Sequence, residues 1–297
     1  MEKKSFTRRD FLRVAAMTPM AGAVAYGMNV PTAEGAVKTS KVVLVRDEKA
    51  LSGPKKSDPE VIQKMLDDGI NALYGESDPV KAWKRIIKPN DVVGIKSNYW
   101  KFLSTTPEVE QAIKQRVMDA GVPETNLSID DKGVRSNPIF QNATALINTR
   151  PVKIHFYAGI GSCIKNYIIF DDNRRSYHDD SCAKLGEIWH KYDLKNKTRL
   201  NVLIMLNPPF HGIGPRGYSD EYIWDYKGLL ISEDPVAADT TALRIMQAKR
   251  LEFFGEEKPI APSPKHIQVA DTEYNLGVSD PNRIEVVKLG WEDGILI

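Results

Sequence analysis

Val92-Val93-Gly94-Ile95-Lys96-Ser97, then Thr106-Pro107, then Leu127-Ser128-Ile129-Asp130-Asp131 is the stretch that decides the fold. Its two end runs are short and rich in β-branched apolar residues. Between them Thr106 precedes a proline, and Val109, Ile113 and Val117 recur at helical spacing as far as Gly121. A capping hydroxyl before proline is a favoured helix start, because proline lacks only an N–H that would go unpaired there. Gly121 supplies a good helix end. Strand, helix and strand in so short a span is the unit from which parallel sheets are built.

The same punctuation recurs along the chain. Asp58-Pro59, Asp78-Pro79 and Asp234-Pro235 each open a run of helical period, marked by Ile62-Met65-Leu66-Ile70, Trp83-Ile86-Ile87 and Ala238-Leu243-Ile245-Met246. Strands are expected at Lys41–Arg46, Val92–Ser97, Leu127–Asp131, Ala145–Asn148, Leu200–Leu206, Gly228–Ser232 and Ile284–Leu289. The reading is an α/β fold with a largely parallel sheet flanked by helices. Residues 171–180 and 207–221 are too polar, or too rich in Gly and Pro, for regular elements and are expected as two long irregular loops.

Upstream of this body, Thr7-Arg8-Arg9-Asp10-Phe11-Leu12-Arg13 has the form of a twin-arginine export signal, followed by a weakly apolar run from Val14 to Met28. That run is shorter than the ~20 residues needed to cross a bilayer, so cleavage is expected, at Ala23-Val24-Ala25 or Ala33-Glu34-Gly35. The organisation read from this is a signal over residues 1–36 and a single α/β domain over 37–297, delivered to the periplasm with no membrane span left. Residues 1–36 hold five Lys/Arg and three Asp/Glu, so of the 41 basic and 39 acidic residues the remainder carries 36 of each. A neutral body argues against a nucleic-acid partner. Two cysteines, Cys163 and Cys182, cannot hold an iron–sulfur cluster alone, and no Cys-x-x-Cys-His haem site occurs.

Ligands of open α/β sheets sit beyond the carboxyl ends of the strands, and the residues expected there define the candidate site. Lys96 and Asn98 lie two apart after one strand, and Lys153 and His155 share a face if 152–156 is extended. Ala158-Gly159-Ile160-Gly161-Ser162 then leads into Cys163-Ile164-Lys165-Asn166, a glycine-rich turn opening a helix, whose N–H groups and Lys165 suit an anion. The turn is neither Gly-x-x-x-x-Gly-Lys-Ser/Thr nor Gly-x-Gly-x-x-Gly, so nucleotide binding does not follow from it. Arg216, in a Gly- and Pro-rich loop, is a further candidate for holding a carboxylate or phosphate. Asp130, His155 and His211 are the candidate ligands for a transition metal such as zinc or iron. His178 and Cys182, four apart, would share a helix face, and Asp239 is the better functional candidate of the acids near Asp234. There is no Gly-x-Ser-x-Gly elbow and no His-Glu-x-x-His, and a serine hydrolase is disfavoured.

These segments resemble a known family. Ile95-Lys96-Ser97-Asn98 followed by Thr105-Thr106-Pro107-Glu108-Val109 is similar to the opening of domain-of-unknown-function family 362. The similarity runs on through Ala145-Leu146-Ile147-Asn148, Pro151-Val152-Lys153-Ile154-His155, Lys165-Asn166 and Ser232-Glu233-Asp234-Pro235-Val236-Ala237-Ala238-Asp239. The family has no agreed activity. Appended ferredoxin-like cysteine clusters in some members, and twin-arginine signals in many, imply a redox setting, but this chain lacks the clusters. The expectation is an exported protein binding a metal or a small anionic cofactor in a redox or metallocofactor setting. The alternatives are a non-catalytic assembly protein serving an exported redox partner, presenting Tyr222, Trp224 and Tyr226 as its aromatic face, and a metal-dependent hydrolase.

Overall fold

The computed structural model describes residues 38–53, 56–212 and 217–297. The expected signal over 1–36 and the candidate Arg216 lie outside the described residues. The chain runs β1 (Ser40–Arg46), α1 (Pro59–Tyr74), α2 (Pro79–Ile86), β2 (Val93–Lys96), α3 (Pro107–Asp119), β3 (Leu127–Asp130) and β4 (Ala145–Pro151). A small hairpin follows, β5 (Lys153–His155) with β6 (Gly159–Gly161), then the one-turn helix α4 (Cys163–Asn166) and α5 (Leu185–Lys191). The remaining main elements are β7 (Thr198–Met205), β8 (Gly228–Ser232), α6 (Pro235–Phe254), α7 (Lys265–Thr272) and β9 (Ile284–Gly290). Each of the seven expected strands is present, and together they form one sheet in the order β9-β1-β8-β7-β4-β2-β3. Only β8 runs against its neighbours; the other four pairings are parallel.

The helix starts follow the local chemistry. The carboxylates of Asp58, Asp78 and Asp234 each accept two backbone N–H bonds from the first turn behind them. Thr106 occupies the same position with an extended backbone, but its hydroxyl caps nothing and instead accepts a bond from Ser57. Helices α1, α2 and α3 cover one face of the sheet, packing Ile62, Leu66, Trp83 and Ile113 onto Val43, Ile95, Ile147 and Val202. The later helices cover the other, with Ile164, Trp189, Ile245 and Ile267 packing toward Leu44, Leu146, Leu203 and Leu230. Because successive side chains of a strand point to opposite faces, both sides of the sheet are apolar and buried, as parallel sheets require.

Strand order decides where a ligand could sit. β2 lies between β3 and β4. The chain leaving β2 turns onto the α1–α3 face, while the chain leaving the adjacent β4 turns onto the opposite face. Neighbouring connections that part in this way leave a crevice beyond the strand ends, the switch point of open α/β sheets.

Asp234 does more than cap α6. Its Oδ1 accepts from Val236 and Ala237, while Oδ2 accepts from the Val278 N–H and the Ser40 hydroxyl, tying α6 to β1 and the C-terminal segment. Asp234→Ala is therefore expected to lower the unfolding free energy by about 3 kcal/mol, a lost cap plus orphaned donors. Asp78→Ala, which removes a cap alone, should cost about 1 kcal/mol. Urea unfolding compares the two, and equal losses would contradict the tie.

Candidate functional site

A row of polar residues crosses the apolar sheet at one level. Asp130 pairs in register with Lys96, Lys96 with Asn148, Asn148 with Asn201, and Asn201 with Ser232. Residues in register point to the same face, here the one covered by the later helices. Lys96, Asn148, Asn201 and Ser232 are all 0% exposed, so each polar atom needs a partner inside the protein. Asn148 Nδ2 donates to Asn201 Oδ1 at 2.9 Å, and Asn201 Nδ2 donates to the carbonyls of Ser232 and Glu233.

Asn166, at the end of α4, closes the row from above. Its Nδ2 lies within bonding distance of Asn148 Oδ1 and of the Lys96 and Thr149 carbonyls, while its Oδ1 accepts from Lys96 Nζ and Asn98 Nδ2. Lys96 also pairs with Asp131 at 2.6 Å, and Lys153 Nζ donates to Asn98 Oδ1 at 2.9 Å while facing the Trp100 ring. Asp239, fully buried in α6, fixes the height of α4 by accepting the N–H groups of Cys163 and Ile164 at 2.8 and 3.0 Å. The glycine-rich turn thus differs from its expectation. Gly159–Gly161 is a strand paired with β5, and the helix N-terminus expected to hold a bound anion already holds the chain's own carboxylate.

Beside this frame lies a hollow of about 240 Å³, lined by Asn98, Asp131, Arg150, His155, Lys165 and His178 among others. Arg150 is 5% exposed and its Nε has no hydrogen-bond partner. Gly161 accommodates it, since a Cβ there would stand 2.6 Å from the guanidinium Nη2. Lys165 is 2% exposed and donates to the Cys182 sulfur at 3.6 Å. Three consecutive left-handed residues, Asp180, Ser181 and Cys182, deliver that sulfur, at a cost of about 1–2 kcal/mol each.

The electrostatics are lopsided. Lys96, Arg150, Lys153 and Lys165 are all at most 6% exposed. Two carboxylates, Asp131 and Asp239, lie close enough to act on Arg150, and Asp131 is already paired with Lys96. Burial, and then the Arg150 and Lys96 charges, push the Lys153 ammonium down to about 6. Burial lowers Lys96 and Lys165 to about 8, against the pull of Asp131 and of Cys182 respectively. Burial likewise lowers Arg150, to about 10, which leaves it charged at neutral pH. Burial, then Lys165 and Arg150, hold His155 down to about 2, so its ring is neutral.

Of the expected site residues, Lys96, Asn98, Lys153, Lys165 and Asn166 come together here, and His155 lines the same hollow. Asp130 does not join them: its carboxylate accepts from the Gly133 N–H and Asn137 Nδ2. His211 sits elsewhere, with Nδ1 2.9 Å from an Arg250 nitrogen. The metal set Asp130, His155 and His211 therefore shares no hollow, and no group of three or more His, Cys, Asp or Glu among the described residues is placed to hold a metal. The cations around His155 also disfavour a metal ion there. His178 and Cys182 share no helix face, because the left-handed turn intervenes. Both cysteines are free and buried. Tyr226 is fully buried, while Tyr222 and Trp224 are half-buried against the core, so the three do not share one exposed face.

Sequence reasoning missed Arg150 and His266, and of the two adjacent acids it chose Asp130 where Asp131 faces the site. Arg150 fell outside the expected strand Ala145–Asn148, which in fact runs to Pro151. The available signal was a charged residue two places beyond Asn148, hence on the same face. His266, fully buried with neither ring nitrogen bonded, carries no local sequence mark at all.

These shifts fix a pH dependence. The folded state gives up the Lys153 proton near 6, whereas the unfolded chain holds it to about 10.4. Over that interval the unfolded state binds more protons, so stability rises with pH. The unliganded protein is expected to gain stability from pH 6 to 8, and Lys153→Met to flatten the rise, in urea melts across that range. An unchanged slope in the variant would contradict the assignment.

Comparison with known proteins adds one finding. No curated protein and no solved structure matches the chain. Residues 125–244 match the model of a protein family described as Domain of unknown function (DUF362), a stretch that runs from the edge of β3 into α6 and supplies Asp131, Arg150, His155, Lys165 and Asp239. The similarity covers that segment, less than half of the 297-residue chain.

Proposed function

We propose that this chain is an exported protein that binds a small ligand through an oxyanion, a phosphate or carboxylate, in the hollow at the β2/β4 switch point. Export rests on Thr7–Arg13 alone. The carrying observation for binding is Arg150, a charged guanidinium 5% exposed whose Nε lacks any partner. A buried charge that its carboxylates reach only at a distance, here Asp131 and Asp239, is costly, and a bound anion offsets that cost with charge-assisted bonds. Lys165 adds a second cation, and Asn98 Nδ2, with one of its two hydrogens on Asn166, adds a neutral donor. Of the two ligand classes expected, metal and anion, the second fits a hollow ringed by cations. Lys153, lowered to about 6, offers a neutral amine within the same network for taking up a ligand proton.

Equilibrium dialysis with inorganic phosphate tests the reading. Binding is expected in the wild type and is expected to weaken about 10-fold or more in Arg150→Gln, the loss of a charged hydrogen-bonding partner. Without phosphate, the same variant should unfold at higher urea concentration than the wild type, because an unpaired buried charge has been removed. No saturable phosphate binding up to millimolar concentration, or a variant that binds as well as the wild type, would sink the proposal.

A further inference from the structure

The hollow is not closed on its outer side. It shares Ile168, Ile169, Arg174 and His178 with a second, wider hollow of about 710 Å³ that opens toward solvent and is walled by Tyr157. The inner part is cationic and buried; the outer part sets the Tyr157 and His178 rings and Ile168 and Ile169 beside the charged Arg174, Arg175 and Asp179. Phe156 and Tyr157 are large rings 49% and 44% exposed. Their centroids are 3.9 Å apart, and Tyr157 lies 4.7 Å from the His178 ring. His178 in turn stands 6.4 Å from His155 at an interplanar angle of 20°. Burial lowers both imidazoles, so these faces are uncharged. Ring faces stepping outward from a buried arginine suit a ligand with an anionic end and a flat body, since aromatic side chains take up flat heterocycles by stacking.

Resting on the anion-binding reading above, we propose that the ligand is a phosphate ester of a planar heteroaromatic compound, such as a mononucleotide or a flavin mononucleotide. The phosphate sits against Arg150 and Lys165, and the ring stacks in the outer hollow on Tyr157, over Ile168 and Ile169. Arg174, exposed and lining both hollows, adds a cation between the two parts. The sequence lacks a glycine-rich nucleotide fingerprint, which agrees with a phosphate held by buried side chains rather than by a helix N-terminus that Asp239 already occupies.

The test compares four probes by equilibrium dialysis: inorganic phosphate, flavin mononucleotide, adenosine monophosphate and riboflavin. At least one ring-bearing phosphate ester is expected to bind about 10-fold more tightly than inorganic phosphate, the increment of one stacked ring. Riboflavin, with the ring but no phosphate, should bind more weakly than flavin mononucleotide. Tyr157→Ala, at an exposed position, should erase the ring increment and leave the affinity for inorganic phosphate unchanged. If both esters bind no better than phosphate, or Tyr157→Ala leaves the increment intact, the ring assignment is overturned while anion binding stands. If neither phosphate nor either ester binds, the underlying anion reading itself has failed.

Discussion

A charged arginine enclosed in protein, with its Nε left without a hydrogen-bond partner, is the constraint around which this site is arranged. Arg150 projects from β4 at the point where the chain leaves the sheet, and its place is kept open by Gly161 across from it. Everything adjacent is committed elsewhere. Asp131 is paired with Lys96, and Asp239 is spent on the N–H groups of α4. Lys153 and Lys165 bond to Asn98 and to the Cys182 sulfur rather than to a carboxylate, and burial lowers all three neighbouring lysines, Lys96 included. A fold that retains such a charge gives up stability for it, and the compensation falls to something bound.

The polar row beneath explains how an apolar sheet can hold this arrangement still. Asp130, Lys96, Asn148, Asn201 and Ser232 meet in register, and Asn166 joins the row to the overlying segment. Buried amides left half-satisfied would be costly, so the network fixes the height and rotation of α4 over the strand ends. Asp239 does the same from the helix side. The acid near Asp234 that was expected to be functional therefore positions residues 163–166, and touches no open space of its own.

Much of this was legible in the chain. Seven strands and the four proline-marked helix starts followed from local chemistry, because capping carboxylates and β-rich runs act within a few residues. Lys96, Asn98, Lys153, Lys165 and Asn166 were reachable because strand ends are where open α/β sheets bind. Sheet order was not legible, since the insertion of β8 against its neighbours depends on contacts across the whole chain. Asp130 and Asp131 could not be separated either: register puts Asp130 on the face of Lys96, yet the acid that pairs with Lys96 is Asp131, just beyond the strand end, because Asp130 turns to the Gly133 N–H and Asn137. His211 illustrates the limit of proximity arguments, for its partner is Arg250, 39 positions away. Arg150 was hidden by a strand that runs three residues further than its apolar pattern suggested.

The most direct measurement is a crystal structure of the protein grown in the presence of tungstate, an electron-dense oxyanion of phosphate-like shape. The account predicts one tungstate per chain bonded to the Arg150 guanidinium and Lys165 Nζ, with Asp131 still on Lys96 and Asp239 still on α4. A hollow holding only water, with Arg150 swung onto Asp131 or Asp239, would show that the charge is compensated within the protein and that the site is not built for an anion.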